Sequence, residues 1–97
     1  MQDGLFLRVK DQFTSDIFLI VEVASSSLEL DTTVKLQLYA IMGIPEYWVA
    51  DLVNDQLLIY TDPVEDKYQA IRVFRRGATV APHLIPECRI PVDILLP

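Results

Sequence analysis

A chain of 97 residues with a formal net charge of −6, a hydrophobic fraction of 52% and a single cysteine has room for one domain and one modest core, burying about 60–65% of its unfolded surface. It offers no basic field to hold nucleic acid by charge alone, no internal disulfide, no basic leader and no apolar run of the ~18 residues that span a membrane, so the cytoplasm is expected. A mean hydropathy of +0.30 is high for so small a domain. A largely buried central strand and an oligomer interface, most simply that of a two-fold dimer, together account for it.

Leu5-Phe6-Leu7-Arg8-Val9 reads as a short first strand bounded by Gly4, followed by a polar connection over 10–16. Ile17-Phe18-Leu19-Ile20-Val21-Glu22-Val23-Ala24 is the most apolar run in the chain and reads as a strand buried on at least one face. Ser25, Ser26 and Ser27 then turn the chain into a helix. Leu30, Val34, Leu38, Ile41 and Met42 recur at helical spacing, and the periodicity predicts that this stripe is the buried one. Asp31, Lys35 and Tyr39 form an adjacent stripe. Gly43 suits the C′ position, and Pro45 forbids continuation.

Residues 46–51 form a third strand and 56–61 a fourth, joined as a hairpin through Asn54-Asp55. After a turn over 62–66, residues 68–74 form a fifth strand that ends at Gly77, with Ile71 and Val73 alternating with Arg72 as if one face met solvent. Pro82, Pro86 and Pro91 restrict the tail to a short edge strand near Cys88-Arg89-Ile90 and a helical turn over 92–95 with Pro91 at N1. The strand–helix–strand unit of residues 17–51 has the length of a parallel crossover. The expected fold is therefore a mixed sheet with one principal helix, in the α/β class or, on the alternative assignment, α+β.

Glu22 is the residue that asks for an explanation. A carboxylate inside an apolar strand is costly unless it is paired, protonated or bound to a metal. Asp31 and Lys35 on the following helix allow two readings: a structural Glu22–Lys35 ion pair, or a divalent-metal and phosphate site. Arg72, Arg75 and Arg76 fall within one short stretch and read either as a solvated face or as contacts to a phosphate backbone. Tyr47 and Trp48 read as core or dimer packing, Cys88 as a small core residue, and His83 as a tail residue. Cys88 and His83 alone make no zinc site.

Several strings taken in order resemble the Uma2 family: Leu19-Ile20-Val21-Glu22-Val23, then Ser25 and Ser27, then Asp31-x-x-x-Lys35, then Tyr39-Ala40, Gly43-Ile44-Pro45-Glu46-Tyr47-Trp48-Val49, Asp51, and Pro82-x-Leu84-Ile85-Pro86. The resemblance runs from near residue 14 to the end. It implies a restriction-endonuclease-like fold of the PD-(D/E)xK type. The family glutamate falls on Glu22, the family aspartate on Asp31 and the helical lysine on Lys35. The lysine usual two residues after the glutamate falls on Ala24.

The resemblance also implies a metal-binding aspartate upstream of the Glu22 strand and a longer N-terminal region, so an N-terminally truncated member is expected. Asp16 precedes Glu22 by six residues, about 20 Å along an extended strand, too far to share an ion without a bend. Asp3 and Asp11 flank the first strand and could approach Glu22 in a hairpin. The implied function is a metal-dependent DNA endonuclease using Mg²⁺ (or Mn²⁺). Glu22 and Asp31 would hold the metal, Lys35 would stabilise charge on the scissile phosphate, and Arg72, Arg75 and Arg76 would contact the DNA backbone. The alternative is a catalytically inactive member acting as an oligomeric or binding protein.

Overall fold

The computed structural model describes the backbone of residues 3–10 and 15–97, and the side chains of residues 17–97. The elements follow in the order β1 (Asp3–Lys10), β2 (Ser15–Ala24), α1 (Leu28–Thr32), α2 (Val34–Ile41), β3 (Glu46–Asp51), β4 (Gln56–Val64), β5 (Lys67–Phe74), β6 (Thr79–Val80), β7 (Ile90–Pro91) and α3 (Val92–Leu95). The first five strands form one sheet in sequence order, and β6 pairs with β7 in a small second sheet. Within the large sheet only β2 and β3 are parallel, joined by the helical crossover. The pairs β1–β2, β3–β4 and β4–β5 are antiparallel. The mixed sheet with one principal, jointed helix is thus the architecture.

The helix breaks at Thr33, whose backbone (φ −125°, ψ −84°) is not helical. The run Thr32-Thr33-Val34 is β-branched throughout, which crowds the preceding turn. Both threonine hydroxyls also bond back to carbonyls four residues earlier, Thr32 to Leu28 at 2.8 Å and Thr33 to Glu29 at 2.6 Å, a competition that bends helices. The C-terminal end behaves as its residues dictate. Gly43 has φ +74°, the left-handed conformation that a helix stop requires.

The sheet is covered on both faces, which is why all six residues of β3 are buried. On one face Ile20, Ala24, Tyr47, Val49, Leu58 and Tyr60 pack beneath the helices with Ile44, Leu28, Leu36 and Tyr39. On the other, Leu19, Val21, Trp48, Ala50, Leu57 and Ile59 pack against Val80, Val92 and Leu96 of the tail. Tyr47 and Trp48, adjacent in sequence, are fully buried on opposite faces.

Three expectations are corrected. The stripe Leu30, Val34, Leu38, Ile41 and Met42 is exposed, while Lys35 of the stripe beside it reaches both the Glu22 and the Asp31 carboxylates. Cys88 is an exposed free thiol, because it lies in the turn-rich tail segment between β6 and β7. Pro91 caps α3 and does not sit inside its first turn. The β4–β5 hairpin is also longer than its sequence suggests, since β4 continues through Pro63. Pairing with β3 ends at Thr61, so the missing proline N–H disturbs no central ladder.

Candidate functional site

The site is assembled where β2, β3 and the helices meet. Parallel pairing sets Tyr47 beside Ile20 and Val49 beside Glu22, which places Tyr47 and Glu22 on the same sheet face two positions apart. Asp31 and Lys35 are four residues apart across the Thr33 break, the spacing of neighbours on a helix surface. Lys35 Nζ lies 3.3 Å from Glu22 Oε2 and 3.4 Å from Oε1, and 3.2 Å from Asp31 Oδ1. The Tyr47 hydroxyl is 3.0 Å from both Glu22 Oε2 and the Asp31 carbonyl. Ser27 Oγ donates to Asp31 Oδ2 at 3.0 Å. Among the described residues Asp31 Oδ1 has no hydrogen-bond donor of good geometry, and its partner is the Lys35 ammonium at 3.2 Å.

Both carboxylates are buried, Asp31 completely. The Lys35 side chain is 23% exposed, so its ammonium plugs the mouth of the cluster. Burial works to lower the Lys35 pKa, but the hydrogen bonds to Asp31 and Glu22 and the charges of both carboxylates outweigh it and raise the value. Burial first, then the Glu22 and Asp31 charges and the Glu22 hydrogen bond, push the Tyr47 phenol far above its ordinary value. Tyr39 is raised by burial and then by the Glu22 charge, with Lys35 opposing. These phenols therefore stay protonated and act as donors.

Tyr47 is the site residue that sequence reasoning missed. It belongs to a row of rings beneath the helices: Tyr39 meets Tyr47 edge-on at 5.0 Å, and Tyr47–Tyr60 and Tyr60–Tyr68 follow at 6.0 Å. The signal available was general. A buried tyrosine hydroxyl needs a partner, and Glu22 lies on the neighbouring strand.

The three arginines do not join Glu22. Arg72 pairs with Ile59 on the tail-covered face and lies 5.1 Å from the Phe74 ring centre. Arg75 Nη1 is 3.3 Å from the Asn54 carbonyl. Arg76 makes an exposed ion pair with Asp55, with Nη2 2.8 Å from Oδ1. Of the N-terminal aspartates, Asp11 lies outside the described residues, as do the side chains of Asp3 and Asp16. The backbone sets Asp3 opposite Val23 and Gly4 opposite Glu22, and Asp16 stays in β2 six residues from Glu22.

Glu46 is a further buried carboxylate, on the opposite face. Its Oε1 accepts the Trp48 indole N–H at 3.0 Å, and its Oε2 accepts the His83 backbone N–H. It ties the tail to β3 on the sheet face that carries Trp48.

Among the described residues, no group of three or more His, Cys, Asp or Glu side chains is placed to hold a metal ion. The Glu22 and Asp31 oxygens do converge, but the Lys35 ammonium lies against both carboxylates. A unit charge ~4 Å from that ammonium would meet a repulsion of about 4 kcal/mol at the effective dielectric of a protein surface. That repulsion opposes the attraction of the two carboxylates for a cation, and the described residues assemble no metal cluster around them.

The site thus sits on a mixed sheet with a parallel helical crossover, where a strand glutamate and a helical aspartate share a helical lysine. The chain matches the family model of Uma2, described as "Putative restriction endonuclease", over residues 3–93, and it belongs to that family. No curated protein and no solved structure matches it. Among the described residues, no helix is long and apolar enough to cross a membrane.

Proposed function

We propose that this chain is a noncatalytic member of the Uma2 family that works as a binding protein, its Glu22–Lys35–Asp31 cluster serving as a structural lock between sheet and helix. The observation that supports this reading is the position of Lys35 Nζ, within 3.4 Å of both Glu22 oxygens and 3.2 Å from Asp31. A divalent cation drawn to the same oxygens would have to displace it. The exposed free Cys88 fits a reducing compartment, and the cytoplasm is part of the proposal.

The family's metal-dependent DNA endonuclease reading, with Mg²⁺ or Mn²⁺, has one observation in its favour. Among the described residues the cluster holds two carboxylates against one ammonium, and the carboxylates attract cations. Calorimetric titration with MgCl₂ and MnCl₂, beside a plasmid-cleavage assay, separates the two. The noncatalytic reading expects no saturable metal binding and no cleavage by the wild type. It also expects metal binding to appear in Lys35→Ala and to vanish again in Glu22→Gln/Lys35→Ala. Wild-type binding lost in Glu22→Gln, together with DNA cleavage lost in Lys35→Ala, would overturn it.

A further inference from the structure

The helical layer carries apolar side chains on two sides. Leu28, Leu36 and Tyr39 pack inward on the sheet. Leu30, Val34, Leu38, Ile41 and Met42 are each between 47% and 66% exposed. Val34, Leu38 and Met42 form one i±4 row along α2 and its C-cap, about 12 Å long at 1.5 Å per residue, and Leu30 extends it beyond the Thr33 break. A helix that is apolar all round is ordinarily buried all round.

We propose that this row is a homodimer interface, in which it packs against the same row of a second copy across a two-fold axis. The inference rests on the binding reading of the chain and names the partner. Size is the first argument. The five side chains expose on the order of 500 Å², near the top of the ~300–600 Å² found for the largest patch on a monomer. That is more than half of the ~800 Å² that each partner contributes to a standard interface. The flanking Thr33 and Gln37, both exposed, would add polar rim.

Charge is the second argument. Two copies of a chain at −6 repel unless their contact is neutral. The row carries no charge. The single cation of α1 and α2, Lys35, is drawn inward to Glu22 and Asp31, and Glu29 stands at one end. A nucleic acid would find no cation here, whereas a second copy presents the same neutral apolar surface. Geometry is the third argument. Rows at i±4 spacing from two helices interdigitate at a crossing angle near −50°, and an isologous contact lets Val34 and Leu38 lie close to the axis.

Sedimentation equilibrium of the wild type, Val34→Asp and Leu38→Asp tests this, with Cys88→Ser/Leu38→Cys as a cross-linking variant. The expected wild-type mass is twice the 11.1 kDa of the chain. Both aspartate variants should dissociate at least ~100-fold more readily, since an unpaired charge is forced into a desolvated contact. Their far-UV circular dichroism should be unchanged, because the substituted side chains are exposed in the single chain. The cysteine variant should form a disulfide-linked dimer on mild oxidation. A monomeric wild type, or a dimer equally tight in both aspartate variants and not cross-linked through position 38, would overturn the interface. A monomer that neither binds metal nor cleaves DNA would remove the dimer and keep the noncatalytic site. A dimer that cleaves DNA would keep the interface and remove that reading.

Discussion

Replacing Lys35 with methionine keeps the apolar stem and removes the charge that two buried carboxylates share. Breaking a buried pair from one side costs about 3–5 kcal/mol, because it leaves an uncompensated charge. The lysine side chain is 23% exposed, so water softens the loss and about 2–4 kcal/mol is expected. Against a total stability of roughly 5–15 kcal/mol for a chain this size, that is a large share. At ~4–8 °C per kcal/mol, Tm falls by about 8–32 °C. Urea denaturation at neutral pH, followed by the fluorescence of the single Trp48, measures it. The double variant Glu22→Gln/Lys35→Met should lose less than the sum of the singles, with a coupling of about 1–3 kcal/mol.

The pH dependence has a definite sign. The folded Lys35 pKa lies above its ordinary 10.5, so its contribution is full below that value and fades as pH rises through the folded pKa. Wild type should therefore lose stability in strong alkali through this residue, and Lys35→Met should lack that component. A Lys35→Met protein within ~0.5 kcal/mol of wild type, the range of ordinary surface substitutions, would refute the account of the cluster as a buried charge network.

Asp51→Ala should cost about 1.5–3 kcal/mol, typical for hydrogen bonds to a charged group, since this buried carboxylate accepts from Val53 N, Asn54 N, Asn54 Nδ2 and Gln56 Nε2. Burial works to raise the Asp51 pKa, but those four donors lower it beneath the ordinary 3.8. The gap between wild type and variant in urea melts should thus be full above that value and close as pH falls through the folded pKa. In Gly43→Ala the added Cβ meets nothing within 4 Å, so the loss should be only the left-handed backbone strain of about 1–2 kcal/mol. A larger loss would mean the helix stop is held by packing.

Much of the local structure is legible in the sequence. The apolar run around Glu22 announces a buried strand, Gly43 and Pro45 end the helix, and the crossover length makes β2 and β3 parallel. The partnership of Glu22 with Asp31 and Lys35 is also legible, because a buried carboxylate must find a cation and the next element supplies one at helical spacing. Periodicity states which residues share a helix face, but not which face meets the sheet. Leu30, Val34, Leu38, Ile41 and Met42 look like the inner face until the tertiary structure turns them outward. Leu28, Leu36 and Tyr39 already fill the space over β2 and β3, and Lys35 must turn toward Glu22 and Asp31, since an unpaired buried charge costs more than an exposed leucine. The hydroxyl of Tyr47 on Glu22, the hold of Glu46 on His83 and the separation of Arg72 from Glu22 are likewise tertiary. Each depends on strand register or on a long-range approach between segments, which no window of sequence contains.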